Sequence, residues 1–165
     1  MCQYIIDQSE QYEGVDFHLI TNDHDEYIPY FIDLQKYGLN IACAKYVLTN
    51  RCYSSYVPHN KKIMRLYNDD TRFNHESCVN KPAVGVRYDY AVKYCEWLSS
   101  VLNQHVDIMT SDEWEKVARL NLSSDAQYPT YNGQLSSENT NYNLNIGMTT
   151  KVDKYKANQT GIHGT

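Results

Sequence analysis

The chain has 165 residues, 42% of them hydrophobic and 21% charged, with a net charge of −5. This is long enough to bury a core in one domain and too apolar to be disordered. Acids and bases are interspersed and no basic stripe occurs, which excludes the electrostatic footprint of a nucleic-acid binder.

Tyrosine is the compositional outlier, with 16 Tyr against three Phe and two Trp. Asn is also abundant, as in "NTNYNLN". Such residues suit adaptable binding surfaces. Here they are spread along the whole chain, as general compositional drift would leave them. The cysteines are Cys2, Cys43, Cys52, Cys78 and Cys95, in no CxxC or Cys/His metal spacing. Reduced thiols in a cytoplasmic setting are expected. A Cys43–Cys52 disulfide is allowed but required by nothing. The start "MCQYIIDQSEQYEG" lacks a basic and a long apolar region, so no signal peptide is expected. No apolar run is long enough to span a membrane.

Residues 1–26 are polar and acidic and read as a lead-in, loosely structured or a first hairpin. "YIPYFIDL" (27–34) alternates Ile28, Tyr30, Ile32 and Leu34, which predicts one strand with Pro29 near its start. "LNIACAKYVL" (39–48) is a second candidate strand. Thr49 can cap a short helix presenting Tyr53, Tyr56 and Val57, with Pro58 as its stop. Residues 59–81 read as a long surface loop. In "RYDYAVKYCEWLSSVLNQ" (87–104), Ala91, Cys95, Leu98 and Leu102 recur at helical spacing and predict one apolar stripe. Cys95 is then a small core residue, and Asp89 complements the helix dipole.

"IMTSDEWEKVAR" (108–119) carries the spacing of a helix start. Thr110 stands as N-cap with Glu113 three residues on, a capping box. Met109 and Trp114 occupy the positions of a hydrophobic staple. Trp114, Val117 and Ala118 are expected to form the buried face. Asp112, Glu113 and Glu115 could be imagined as an acid/base set, but capping and dipole roles already account for two of them. After residue 121 the chain is rich in Asn, Ser, Gly and Tyr, and "TTKVDKY" (149–155) could be a short strand. The histidines His18, His24, His59, His75, His105 and His163 are scattered and read as surface or satisfied core residues. The carboxylates of "NDHDE" (22–26) and "NDD" (68–70) read as solvated loops. No phosphate loop or nucleophile elbow occurs.

These blocks, in this order, resemble the formylglycine-generating enzyme (sulfatase-modifying factor) family. "KYVLTNRCYSSYV" is similar to its early "E-V-T-N" block. "KPAVGVRYDYAVKYCEWLS", with Cys95 and Trp97, is similar to its "D-A-x-x-Y-C-x-W-L" block. "IMTSDEWEKVAR" resembles "L-P-T-E-A-E-W-E-x-A-A-R", and "YPTYNG", "ENTNYN" and "KVDKYKANQTGIHG" resemble later blocks. The resemblance implies an irregular α+β fold related to C-type lectins. It would have two main helices, at about 88–104 and 111–120, with short antiparallel strands and long loops. It implies a domain over 27–165, after the 1–26 lead-in, that is incomplete at its C-terminus.

The resemblance also implies what is missing. Family members carry a later "G-N-V-W-E-W" block and, later still, two closely spaced Cys that bind copper and perform the oxidation. Copper is therefore not expected in this chain. The family's calcium ligands include an Asn-rich segment, where Asn141 and Tyr142 fall as calcium candidates. The expectation is a catalytically inert module, cytoplasmic or virion-associated, that binds a protein or glycan ligand. One alternative is an N-terminal fragment or split piece of a copper-dependent oxidase acting on a sulfatase cysteine. Another is a structural subunit of a phage or other assembly. The last two would need a completing polypeptide or an oligomer partner.

Overall fold

The structure, a computed structural model, describes residues 9–12, 14–20, 26–57, 78–143 and 145–164. The elements in chain order are strands β1 (Ser9–Tyr12), β2 (Val15–Ile20), β3 (Glu26–Pro29), β4 (Phe31–Asp33) and β5 (Ala42–Ala44), then helices α1 (Asn50–Tyr56), α2 (Tyr88–Leu102) and α3 (Ser111–Arg119). A 3-10 turn at Gln35–Tyr37 joins β4 to β5. Two compact units form. One holds the described residues up to Tyr30 together with the described residues of Leu48–Ile108, and the other holds Phe31–Val47 and the described residues from Met109 on. No described helix is long and apolar enough to cross a membrane.

In the first unit, β1, β2 and β3 form one antiparallel sheet. Tyr12 pairs with Val15 across the first connection, where Gly14 takes φ 87°, the left-handed geometry that tight hairpins demand. The end of the lead-in is thus the hairpin alternative. The expected single strand over 27–34 is two strands in different sheets, and Pro29 ends β3 instead of starting it. Proline has no N–H to continue a ladder, so pairing changes partner there.

Thr49 caps α1, its hydroxyl accepting from the Cys52 N–H at 3.2 Å. The N–H groups of Asn50 and Arg51, left over at the helix start, donate to the carbonyls of Lys81 and Val79, each at 2.9 Å. Asn50 Nδ2 adds a bond to the Cys78 carbonyl. Residues 78–81, expected in a surface loop, therefore dock on α1, and Asn80 is buried. The rest of that expected loop, like Pro58, lies outside the described residues.

The face of α2 differs from the expected stripe. Tyr90, Tyr94, Leu98 and Leu102 are buried, while Ala91 and Cys95 are only half-buried. Two stripes one residue apart fit the same periodicity, and side-chain bulk selects between them. Tyr94 packs among Tyr53, Tyr56 and Trp97 at ring-centroid distances of 5.9, 5.7 and 5.5 Å. These rings bury far more area than an Ala or a Cys would. Asp89 stands in the first turn, as read, and pairs with Arg87 at 3.0 Å. Asn103 closes the helix in the left-handed conformation.

In the second unit, β4 and β5 pair antiparallel with Ile32 opposite Cys43. Only Ala42–Ala44 of the expected 39–48 strand is a strand. The core is Leu34, Val117 and Ile162, with Ile32, Tyr37, Leu39, Ile41, Cys43, Met109 and Leu120 packed against it. Leu34 is fully buried, and Gly38 at φ 82° turns the chain back so that Leu39 and Ile41 join it. Ile162 is seated by a polar turn. Asn158 Oδ1 accepts from the Thr160 N–H at 3.0 Å, the Thr160 hydroxyl at 2.6 Å and the Ile162 N–H at 3.1 Å. The His163 N–H then donates to the Lys45 carbonyl at 2.8 Å.

α3 has its capping box. The Thr110 hydroxyl oxygen accepts from the Glu113 N–H, and the Glu113 carboxylate accepts from the Thr110 N–H at 2.9 Å and its hydroxyl at 2.7 Å. Val117 and Ala118 are buried, but Trp114 is 50% exposed and does not belong to the buried face. The residues packed around Leu34, Val117 and Ile162 do not include Trp114, so the core on α3 stops short of that position. Residues 149–155 make turns and no strand, with Val152 alone fully buried among them. Cys43 and Cys52 are both free thiols, so the allowed disulfide is not formed.

Candidate functional site

Between α3 and the C-terminal turn, the described residues of 121–148 contain no helix or strand. Their order comes from turns and amide side chains. Asn121, at φ 58°, and the Leu122 N–H bonded to the Arg119 carbonyl redirect the chain after α3. The Gln127 and Tyr128 N–H groups both donate to the Gly133 carbonyl at 3.2 Å, and the Gly133 N–H donates to the Thr130 carbonyl at 3.1 Å. A Cβ on Gly133 would stand 2.8 Å from the Ala126 Cβ, and its φ of 75° also favours glycine. Asn132 Oδ1 ties the loop together by accepting from the Gln134 N–H at 3.2 Å and from Asn139 Nδ2 at 2.8 Å.

Side chains that cannot turn inward on such a loop stay at its surface. Tyr128, Tyr131, Leu135, Tyr142 and Met148 are all exposed, Met148 to 65%. Lys156 Nζ stands 4.6 Å from the Tyr131 ring centroid, within range of a cation–π contact. An exposed tyrosine offers rigid apolar area and a hydroxyl at low entropic cost, and the amides around it offer donors and acceptors. Neither Tyr128, Tyr131 nor the amide hub of Asn132 and Asn139 stands out from the residue pattern alone. The available signal was the "YNG" turn inside a polar segment too long for an ordinary loop.

Asn141 and Tyr142 lie on the same segment. Asn141 Nδ2 donates to the Met148 carbonyl at 2.8 Å, and the Tyr142 carbonyl accepts from the Asn145 N–H at 3.1 Å. The pair supplies neutral oxygens only, one of them already used. A calcium ion takes six to eight oxygens, carboxylates among them. The two residues therefore do not make a calcium site by themselves. No group of three or more His, Cys, Asp or Glu that could hold a metal is present among the described residues.

The titratable groups named from the sequence occupy structural positions. Hydrogen bonds from the Thr110 side chain and backbone hold the Glu113 carboxyl below its ordinary value. Glu115 pairs with Arg119 at 2.9 Å on the exposed face of α3. Burial pushes the Cys43 and Cys52 thiols up to about 11. Cys95 is also raised, by burial and by the charges of Asp107 and Glu96. The Tyr94 hydroxyl is raised too, first by burial and then by the charges of Cys52 and Cys95. His18 is buried and stacked on Tyr30, and His163 lies against Tyr46 with Nδ1 2.9 Å from the Tyr155 carbonyl.

The fold and this loop define a mixed α+β domain with small antiparallel sheets, long ordered turns and, among the described residues, three helices. The family model of the sulfatase-modifying factor enzyme 1-like domain matches residues 33–165, and the chain belongs to that family. Neither a curated protein nor a solved structure matches the chain.

Proposed function

We propose that this chain is a catalytically inert binding module of its family and that residues 121–148 form its ligand-facing surface. The observation that carries the reading is the set of exposed apolar side chains, Tyr128, Tyr131, Leu135, Tyr142 and Met148, on a loop fixed by amide hydrogen bonds. A surface ordered before binding loses less entropy on binding than a flexible one. The ligand is a protein or a glycan, since tyrosine faces flanked by amides serve both.

The test uses a panel of defined oligosaccharides and a displayed peptide library against the chain. Ligands selected this way should lose binding in a Tyr128→Ala/Tyr131→Ala variant. They should keep it in Tyr88→Ala, an exposed tyrosine of the other unit. Ligands indifferent to the double variant would overturn the assignment of the face. Copper-dependent oxidation of a sulfatase-type cysteine peptide by this chain would overturn the inert reading itself.

A further inference from the structure

Asn132 and Gly133 form the only Asn-Gly pair in the sequence. The side-chain carbonyl carbon of an Asn is within reach of the backbone nitrogen of the next residue, and glycine has no Cβ to obstruct the approach. Attack at that carbon places negative charge on Oδ1. In this loop Oδ1 already receives the Gln134 N–H at 3.2 Å and Asn139 Nδ2 at 2.8 Å. The Thr130 hydroxyl is 3.3 Å from the same oxygen, but it lies closer to the Gln134 carbonyl, at 2.7 Å, and its one proton goes there. Donors fixed beforehand on the atom where charge develops stabilise a transition state without reorganising.

We infer that Asn132 is a self-modification site, at which the loop promotes cyclisation and deamidation of its own side chain. The Gly133 nitrogen leaves its turn bond to the Thr130 carbonyl, gives its proton to water and bonds to Asn132 Cγ. The Cγ–Nδ2 bond breaks, and the nitrogen takes a proton from solvent and departs as ammonia. Water then opens the five-membered imide at either carbonyl, leaving aspartate or isoaspartate at position 132. No electrons are gained or lost overall. Asn139 acts as a positioning residue through its side-chain amide. The product adds a negative charge beside Tyr131, on the ring approached by Lys156. The isoaspartate form also lengthens the backbone within the Thr130–Gly133 turn.

The experiment incubates the full chain at neutral pH, digests it at Arg119 and Lys151, and follows the peptide between them by mass spectrometry with fragmentation that separates aspartate from isoaspartate. The wild-type chain should convert Asn132 well ahead of Asn121, Asn139, Asn141, Asn143 and Asn145 in the same peptide. Asn139→Leu should slow the conversion roughly 2- to 10-fold, the share of one modest hydrogen bond. A merely structural role for Asn139 gives the opposite sign, because a loosened loop lets the nitrogen approach more freely. Faster conversion in Asn139→Leu would therefore overturn the inference. So would a wild-type chain in which Asn132 converts no faster than its neighbours, whatever the variant does.

Discussion

Replacing Thr110 by Ala tests whether the acidic start of α3 is helix architecture. The Thr110 hydroxyl oxygen accepts from the Glu113 N–H, and the hydroxyl donates to the Glu113 carboxylate at 2.7 Å. The substitution removes both and leaves only the bond from the Thr110 N–H to that carboxylate. Loss of such a cap costs about 1 kcal/mol. For a chain of this size that lowers the melting temperature by roughly 2–4 °C. The pH dependence adds a second check. The same bonds hold the folded Glu113 carboxyl below its ordinary value of 4.5. A depressed carboxyl contributes stability that is present above the unfolded value and is lost as pH falls through the folded one. The gap between wild type and Thr110→Ala should thus be full at neutral pH and shrink as the solution is acidified below that value. Thermal melts by circular dichroism at several pH values read both effects. An unchanged melting temperature at neutral pH, or a gap that widens in acid, would refute the reasoning.

Two further outcomes follow from burial. Leu98 is 1% exposed, so Leu98→Ala should destabilise the chain by about 2–5 kcal/mol, whereas Ala91→Ser, outside the buried face, should cost far less. Urea unfolding of the two variants checks this, and similar costs would restore the stripe read from the sequence. Cys52 should resist a thiol-labelling reagent in the native chain at neutral pH, while the half-exposed Cys95 reacts sooner, as peptide mapping of the labelled protein would show. Because burial raises the folded Cys52 thiol from 9.0 to about 11, its share of stability is intact below the lower value and is lost as pH rises through the higher. Equal labelling of Cys52 and Cys95 would show that the α1 face opens readily.

The parts of this fold that were legible in the sequence depend on neighbours a few residues apart. Thr49 and Thr110 announce their helices because a cap and its partner lie within one turn, and both caps are present. Asp89 was equally local. The misread parts depend on what a segment meets far along the chain. The alternation of 27–34 continues straight through Tyr30, yet the two halves pair with β2 and β5, which no pattern inside eight residues can specify. The face of α2 turned on tyrosines. They score as half-polar in a periodicity count, but they pack against Tyr53 and Tyr56, some forty residues earlier. Trp114 sits at the right spacing for burial, and the extent of the core on α3, which local spacing does not reveal, leaves it half-exposed. The candidate site was visible only as composition. An Asn-rich segment could be a solvated loop or an ordered one, and the difference rests on whether Asn132 and Asn139 meet.

That meeting explains how 121–148 keeps its course without regular secondary structure. A strand or helix satisfies its backbone groups with one another, so it constrains every residue along its length. Here a few amide side chains take over part of that work. Asn132 serves a loop whose ends are Tyr128 and Asn139, Asn141 reaches the Met148 carbonyl, and Asn158 does the same for the turn that seats Ile162. The remaining order comes from backbone turn bonds, such as those of the Gln127 and Tyr128 N–H groups to the Gly133 carbonyl, which do not depend on side-chain identity. Tyr128, Tyr131 and Leu135 point outward from a frame in whose bonds their side chains take no part. Substituting these three should therefore alter what the surface binds while leaving the frame intact. Substituting Asn132 or Asn158 should instead loosen the frame itself, however exposed or buried the residue is. Surface identity and loop order are thus carried by different residues of the same segment, which is the arrangement a binding scaffold needs if its ligand is to change and its fold is not.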